Sequence, residues 1–305
     1  MELLEIPMQS VDGLPENCEA TMDIQKAQTP FLKKAHDMLA EPFEHLLDKV
    51  TPDLILVDFA AYRISEVAAK HGVNTAFFSV YTAATLAYFG SLAELKDGKP
   101  RPSPEGLTKP PDWIPFPSRV AQTKEHHARF GSEYKMPLEE IHELAFSIEL
   151  SRLPFLWILR KPQGVDSSEL LPPGFASRMQ SQGLVVLGWA PQQRILARPA
   201  IGGCFFHSGW GTCVESLAHG HPLILLPFVS DQGLTAKLIA ENQAGYEDGS
   251  FSRDVVAESI RRVLVDEEGK QLRLKAAELQ SVFGNHESQD NYINKFIDHL
   301  IKKQV

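Results

Sequence analysis

The side chains best suited to hold a polar ligand crowd into one stretch, from Trp189 to Gln232. Its middle reads His207-Ser208-Gly209-Trp210-Gly211-Thr212, which brings glycines and a threonine to the start of a helix. Free backbone N–H groups and the positive end of the helix dipole favour an anion there, a pyrophosphate for example. His207 can donate to the same oxygens, and Trp189 offers a flat face to a base. Glu215, Asp231 and Gln232 supply acceptors for the hydroxyls of a ribose or a sugar. A nucleotide sugar would use the whole set.

Plainer readings stand beside this one. Thr212 and Glu215 form T-x-x-E, a capping box that would only start the helix. Trp189 and Trp210 read equally as core or surface aromatics, and Asp231 as the cap of the helix after it. Cys204, His207, Cys213, His219 and His221 lie close in sequence, but their spacing matches no closed zinc pattern, and Cys204 reads as a small core residue within an apolar strand. No metal site is expected. No G-x-S-x-G elbow is present either.

Holding these residues together takes strands whose carboxyl ends lead into helices. Apolar periodicity predicts a short strand in "LLEIPM", a helix over "KAQTPFLKKAHDMLAEPFEHLLDKV" with a break near Pro42, a continuous apolar strand "DLILVDF", a helix "RISEVAAKHG", a strand "TAFFSV" and a helix "TAATLAYFGSLAEL". From Leu138 the alternation resumes: a helix to about Leu150, strands "PFLWIL", "GLVVLG" and "IGGCFF", a helix from Cys213, a strand "PLILLPF", and three further helices around "GLTAKLIAEN", from Asp254 and up to the C-terminal lysines. This order predicts βα units on parallel sheets, with the second half the more complete. Three strand ends fall inside the ligand stretch, after "GLVVLG", "IGGCFF" and "PLILLPF", and ligands of open parallel sheets bind at such ends. Between Lys96 and Phe130 the pattern stops, in a segment holding seven of the 21 prolines.

Composition excludes other classes. The 305 residues are 43% hydrophobic and 23% charged, as in ordinary globular chains, and long enough for two domains. A net charge of −9 has the wrong sign for affinity to phosphate backbones, so nucleic acid is not expected as a partner. Three Cys at irregular spacing predict a reducing compartment, the cytosol. No signal peptide and no membrane-spanning segment are expected.

The stretch from Trp189 to Gln232 resembles the donor-binding box of the plant secondary-product UDP-sugar glycosyltransferases. It matches W-x-P-Q at the start, H-x-G-W with a Glu five positions after the Trp, and D-Q at the end. "FFSVYTAATLAYFG", "GSEYKMPLEEIHELA", "LPFLWILRKP", "LPPGFASR" and "DGSFSRDVVAESIRRVL" are similar to the subgroup that adds a sugar to the sugar of an existing flavonoid or terpenoid glycoside.

The resemblance implies a GT-B-like α/β fold of two Rossmann-like parallel-sheet domains, an acceptor domain over residues 1–130 and a donor domain over 131–305, both incomplete. It implies that Trp189 stacks on uracil and the backbone of Ala190 reads its edge. Gln192 and Glu215 hold the ribose, while His207, Gly211, Thr212 and Ser132 contact the diphosphate. Trp210, Asp231 and Gln232 hold the sugar, and Gln232 suits UDP-glucose. UDP-sugar is a co-substrate, and neither cofactor nor metal is implied. Two positions depart from the family pattern: Arg198 stands where His is usual, and Gly211 where Asn is usual.

The implied chemistry is inverting transfer to a hydroxyl of the glycoside acceptor, with a His as general base and an Asp, matched by Asp58, to orient it. Read alone, Asp58 equally caps the following helix. The opening "MELLEIPMQSVDGLPE" resembles family sequence downstream of the loop that carries the His, and the apolar strand that precedes "GSE" in the family is replaced by "VAQTKEHHARF". Loss of that strand, central to a parallel sheet, is expected to uncover sheet edges. The sequence thus implies either a UDP-sugar-dependent transferase or an inactive relative that binds UDP, a UDP-sugar or a protein. Phe59, Tyr62, Phe77, Phe78, Tyr81, Tyr88 and Phe89 divide between core and an apolar acceptor pocket.

Overall fold

A computed structural model describes residues 3–21, 23–90, 136–162, 164–228, 231–239 and 251–303. These divide into two compact units, one running through Thr82 and the other beginning at Ala83. The expected boundary between residues 130 and 131 lies outside the described residues.

In the first unit, helices α1 (Thr29–Asp37) and α2 (Ala40–Leu47) are followed by β1 (Leu54–Val57), α3 (Tyr62–Lys70) and β2 (Asn74–Phe77). The helical stretch breaks at Met38–Leu39 rather than at Pro42, which is the third residue of α2 and lacks only an N–H that would have no intrahelical partner. β1 and β2 pair in parallel, Leu54 opposite Asn74 and Val57 opposite Phe77. The strand expected in "LLEIPM" does not form. No strand pairs with it among the described residues, and Leu3 is 84% exposed.

The second unit starts with α4 (Ala83–Phe89), whose Thr85 and Tyr88 are fully buried. Then come α5 (Leu138–Ser151), β3 (Phe155–Leu159), α6 (Phe175–Met179), β4 (Gly183–Leu187), α7 (Gln192–Leu196), β5 (Cys204–Phe206), α8 (Trp210–Ala218), β6 (Leu223–Leu225), α9 (Gln232–Ile239), α10 (Arg253–Leu264), α11 (Lys270–Phe283) and α12 (His286–Lys303). α4 was expected with the first half of the chain but packs against α9.

Why β6 is apolar at every position is plain from its two faces. Ile224, with Leu226 just beyond the strand, joins Leu144 of α5 and Val256, Ile260 and Val263 of α10. Leu223 and Leu225 join Cys213 and Leu217 of α8, Ala236 of α9 and Ala276 of α11. Helices thus cover both faces, the arrangement that a parallel strand requires.

The apolar run "FLWIL" of β3 has the same look in sequence but a different fate. Phe155, Trp157 and Leu159 pack on α5 and α6, while Leu156 is 39% and Ile158 37% exposed. β4 repeats the pattern with Leu184 at 60%. Moreover, the second half does not form one continuous sheet among the described residues. β3 pairs in parallel with β4, and β5 with β6, as two separate two-stranded sheets.

Candidate functional site

The site is built at the carboxyl ends of β4, β5 and β6. β4 ends at Leu187, and Gly188, with φ of +94°, turns the chain so that Trp189 stands 81% exposed at the strand end. An indole so open to water is an available stacking face. Ala190 follows, half-buried, and Pro191 leads into α7, which carries Gln192 and Gln193 in its first turn.

β5 ends in the loop that enters α8. Helix α8 begins at Trp210, three residues earlier than the sequence predicts, with Gly209 as its N-cap. Thr212 therefore lies inside the helix, and the capping-box reading of Thr212 and Glu215 fails. No side chain caps this helix, and no acidic residue occupies its first turn. Its leading N–H groups are left to an anion.

Two further features shape the loop. Ser208 adopts the left-handed region at φ of +67°, which costs a non-glycine residue roughly 1 kcal/mol or more, and its buried Oγ makes no hydrogen bond. A Cβ on Gly209 would lie 2.8 Å from His207 Nε2: the exposed imidazole folds across this residue towards the helix start, and a side chain here would push it aside. At Gly211 the opposite holds, since a Cβ would meet no atom within 4 Å.

Hydrogen bonds tie the first strand end to the second. Gln192 Nε2 donates to Glu215 Oε2 at 2.6 Å and to Thr212 Oγ1 at 3.2 Å. Gln193 Nε2 donates to the other carboxylate oxygen, Oε1, at 3.3 Å. The sequence pattern predicts no helix at Gln192–Leu196 and does not single out Gln193, whose only signal is the doubled Gln.

The third end lies beside the second. Asp231 immediately precedes α9, and its Oδ2 accepts from the Thr235 hydroxyl at 3.5 Å, a contact between side chains one helical turn apart. Asp231 is also near enough to Cys213 to help raise its thiol, which burial first of all pushes up to about 12. Gln232 Oε1 accepts from the Phe228 N–H at 2.9 Å.

Not every candidate joins this group. The Trp210 ring is half-buried, edge-on to Phe283 of α11 at 6.5 Å, so its side chain is a packing group and only its backbone belongs to the helix start. Ser132 lies outside the described residues. The His and Cys residues weighed for a metal are not gathered into a metal-holding group among the described residues: His221 Nε2 bonds the Leu196 carbonyl at 2.7 Å, and burial raises both Cys204 and Cys213 thiols.

In the first unit, Asp58 Oδ1 accepts from the backbone N–H groups of Ala60 and Ala61, at 2.9 and 3.2 Å, in the turn that opens α3. That is an Asx turn ahead of the helix and not a helix cap: the N-cap of α3 is Ala61, and no side chain caps it. Around the ends of β1 and β2, Phe59, Tyr62, Phe77 and Phe78 are exposed and Phe59 meets Tyr81 at 5.8 Å, whereas Tyr88 is core of the second unit. The Phe89 side chain lies outside the described residues. No helix among the described residues is long and apolar enough to cross a membrane.

Residues 129–280 match the family model described as UDP-glucoronosyl and UDP-glucosyl transferase. Among curated proteins the chain is 31% identical to UDP-glycosyltransferase 91D2 of Stevia rebaudiana, over 99% of this chain and 84% of that one. It is 30% identical to the soyasaponin III rhamnosyltransferase of Glycine max, over 100% and 85%. Both alignments, over 399 and 407 residues, are longer than the 305-residue chain, so the relatives carry residues inside the matched span that have no counterpart here. Among solved structures, UGT73P12 of Glycyrrhiza uralensis superposes with a TM-score of 0.77 at 18% identity, covering 97% of this chain and 83% of that one. TcCGT1 in complex with UDP gives 0.73 at 18% identity, covering 95% and 86%. These likenesses make the fold GT-B, with α/β units built on small parallel sheets. By sequence identity across nearly its whole length, the chain belongs to the plant UDP-glycosyltransferases, enzymes that transfer a sugar from a UDP-sugar donor.

Proposed function

We propose that the second unit binds UDP-glucose at the ends of β4, β5 and β6, and that the chain transfers the glucose, with inversion, to a hydroxyl of a flavonoid or terpenoid glycoside in the cytosol. The observation that carries this reading is the Gln192–Glu215–Thr212 network standing between the exposed Trp189 and the uncapped start of α8. A base, a diol and a diphosphate find stacking, acceptor and N–H groups there in the order in which a nucleoside diphosphate presents them.

Trp189 stacks on the uracil, and the Ala190 backbone meets its edge. Glu215 and Gln192 take the ribose hydroxyls. His207 and the N–H groups of Gly211 and Thr212 hold the diphosphate, joined by Ser132, and Asp231 and Gln232 hold the glucose. The charge that develops on the departing diphosphate is met by the helix start and by His207, so the transfer requires no metal. Acceptor choice falls to the first unit, whose exposed Phe59, Phe77 and Phe78 suit a flat apolar aglycone. Two relatives support the terpenoid class: one is named for soyasaponin III, and UGT73P12 was solved with glycyrrhetinic acid 3-O-monoglucuronide. Asp58 keeps one carboxylate oxygen beyond the two N–H groups it accepts, which suits it to orient a base.

Calorimetric titration with UDP, followed by a UDP-release assay with UDP-glucose and a panel of flavonoid and terpenoid glycosides, tests the reading. Binding that Trp189→Ala and Glu215→Ala each weaken at least ten-fold, with glycoside-dependent release of UDP, is the expected result. Binding without turnover would assign the chain as a UDP-sugar-binding relative. A folded sample that binds no UDP would overturn both readings.

A further inference from the structure

The geometry points to Gln193 as a positioning residue that fixes the Glu215 carboxylate for recognition of a vicinal diol; this rests on the donor-site reading above. Glu215 projects from the second turn of α8 and is half-buried. The terminal torsion of a Glu is broad, with roughly two-fold symmetry, so a carboxylate held through one oxygen still swivels. Gln192 alone holds it that way, through Oε2 at 2.6 Å. Gln193 adds a second hold, through Oε1 at 3.3 Å.

Both amides come from the first turn of α7, and each engages a different oxygen. The plane of the carboxylate is then set. Each oxygen accepts two hydrogen bonds, so one acceptor site per oxygen is left, and the two remaining sites match two adjacent hydroxyls of a ribose. Gln192 has a second duty, since its Nε2 also reaches Thr212 Oγ1 at 3.2 Å. The Gln193 side chain has no other hydrogen bond among the described residues and is exposed, so its work is confined to Glu215.

The test uses calorimetry on the full chain with two probes, UDP and 2′,3′-dideoxy-UDP, at pH 7. Gln193→Ala is expected to weaken UDP by roughly three- to ten-fold, the worth of one exposed hydrogen bond, and to leave the dideoxy probe unchanged. Gln193→Glu sets a like charge against Glu215 in place of a donor and is expected to weaken UDP at least as much as Gln193→Ala does. An added acid in the first turn favours α7, so this variant keeps the fold. Equal losses for the two probes in Gln193→Ala would reduce Gln193 to a structural role and overturn the proposal, as would no loss for either. Wild-type chain that binds neither probe would overturn the donor-site reading together with this one.

Discussion

At Gly209 the sequence offers a glycine in a glycine-rich loop, and the structure gives the reason for that one. Its backbone, at φ of −67°, is open to any residue; what a side chain would displace is the His207 ring, 2.8 Å from where a Cβ would stand. Gly209→Ala is therefore expected to fold normally and to displace the imidazole. UDP affinity should fall roughly ten-fold, the worth of a hydrogen bond to a charged group, and His207→Ala should lose about as much. The double variant should lose little more than either, because both remove one interaction. Calorimetry on the three variants decides: undiminished affinity in Gly209→Ala would separate the imidazole from the anion site. Candidate residues were legible in the sequence because their types are unusual together in so short a stretch, as with Trp189, Gln192, Glu215 and Asp231. Which part of each residue serves was not legible. Trp210 spends its ring on Phe283, and Asp231 spends one oxygen on Thr235.

Between elements, the contact of α5 with α10 illustrates how the second unit is fastened. Leu144 meets Val256, Ile260 and Val263 in a buried cluster, and at its edge the guanidinium of Arg253 grips the Glu143 carboxylate and lies over the Phe146 ring at 4.1 Å. The hydrogen bonds from Arg253 hold the Glu143 carboxyl below its ordinary value of 4.5. A group whose folded value is depressed contributes stability that is complete above the unfolded value and is lost as pH falls through the folded one. Urea unfolding of the wild type should therefore shift to lower midpoint below pH 4.5, and Arg253→Ala should flatten that dependence while lowering the midpoint modestly at pH 7. An unchanged acid slope in the variant would show that other carboxylates carry it. Ile224→Ala, in the same cluster, is expected to cost roughly 2–5 kcal/mol, far more than the ion pair. The helices were legible from their 3.6-residue period, but their starts were not. Trp210 opens α8 three residues early because the N-cap is a glycine without a side-chain signal.

For the molecule as a whole, stability is expected to be uneven. Strand β6 is covered by helices on both faces, while β3 and β4 form a two-stranded sheet with an uncovered apolar face. Two-stranded sheets are marginal on their own, and exposed apolar patches invite association. Hydrogen exchange should find the amides of Ile224 and Leu225 protected well above those of Leu156 and Ile158, and the chain should bind the dye ANS under native conditions. Equal protection along β3 and β6, with no dye binding, would contradict this picture.

The sequence by itself determined the family, the alternation of strands and helices, and the crowding of ligand-type residues after three strand ends, because these depend on residue identity and on spacing along the chain. It also determined that β6 and β3 would be apolar throughout. Only the tertiary structure decided that one of them is covered twice and the other once, since burial depends on which helices arrive from elsewhere in the chain. In the same way it decided that Thr212 lies within its helix, that Asp58 closes an Asx turn without capping α3, and that Gln193 reaches Glu215. The first two turn on which of several local hydrogen-bond patterns a short segment adopts, and the last on a distance between segments, which no local pattern carries.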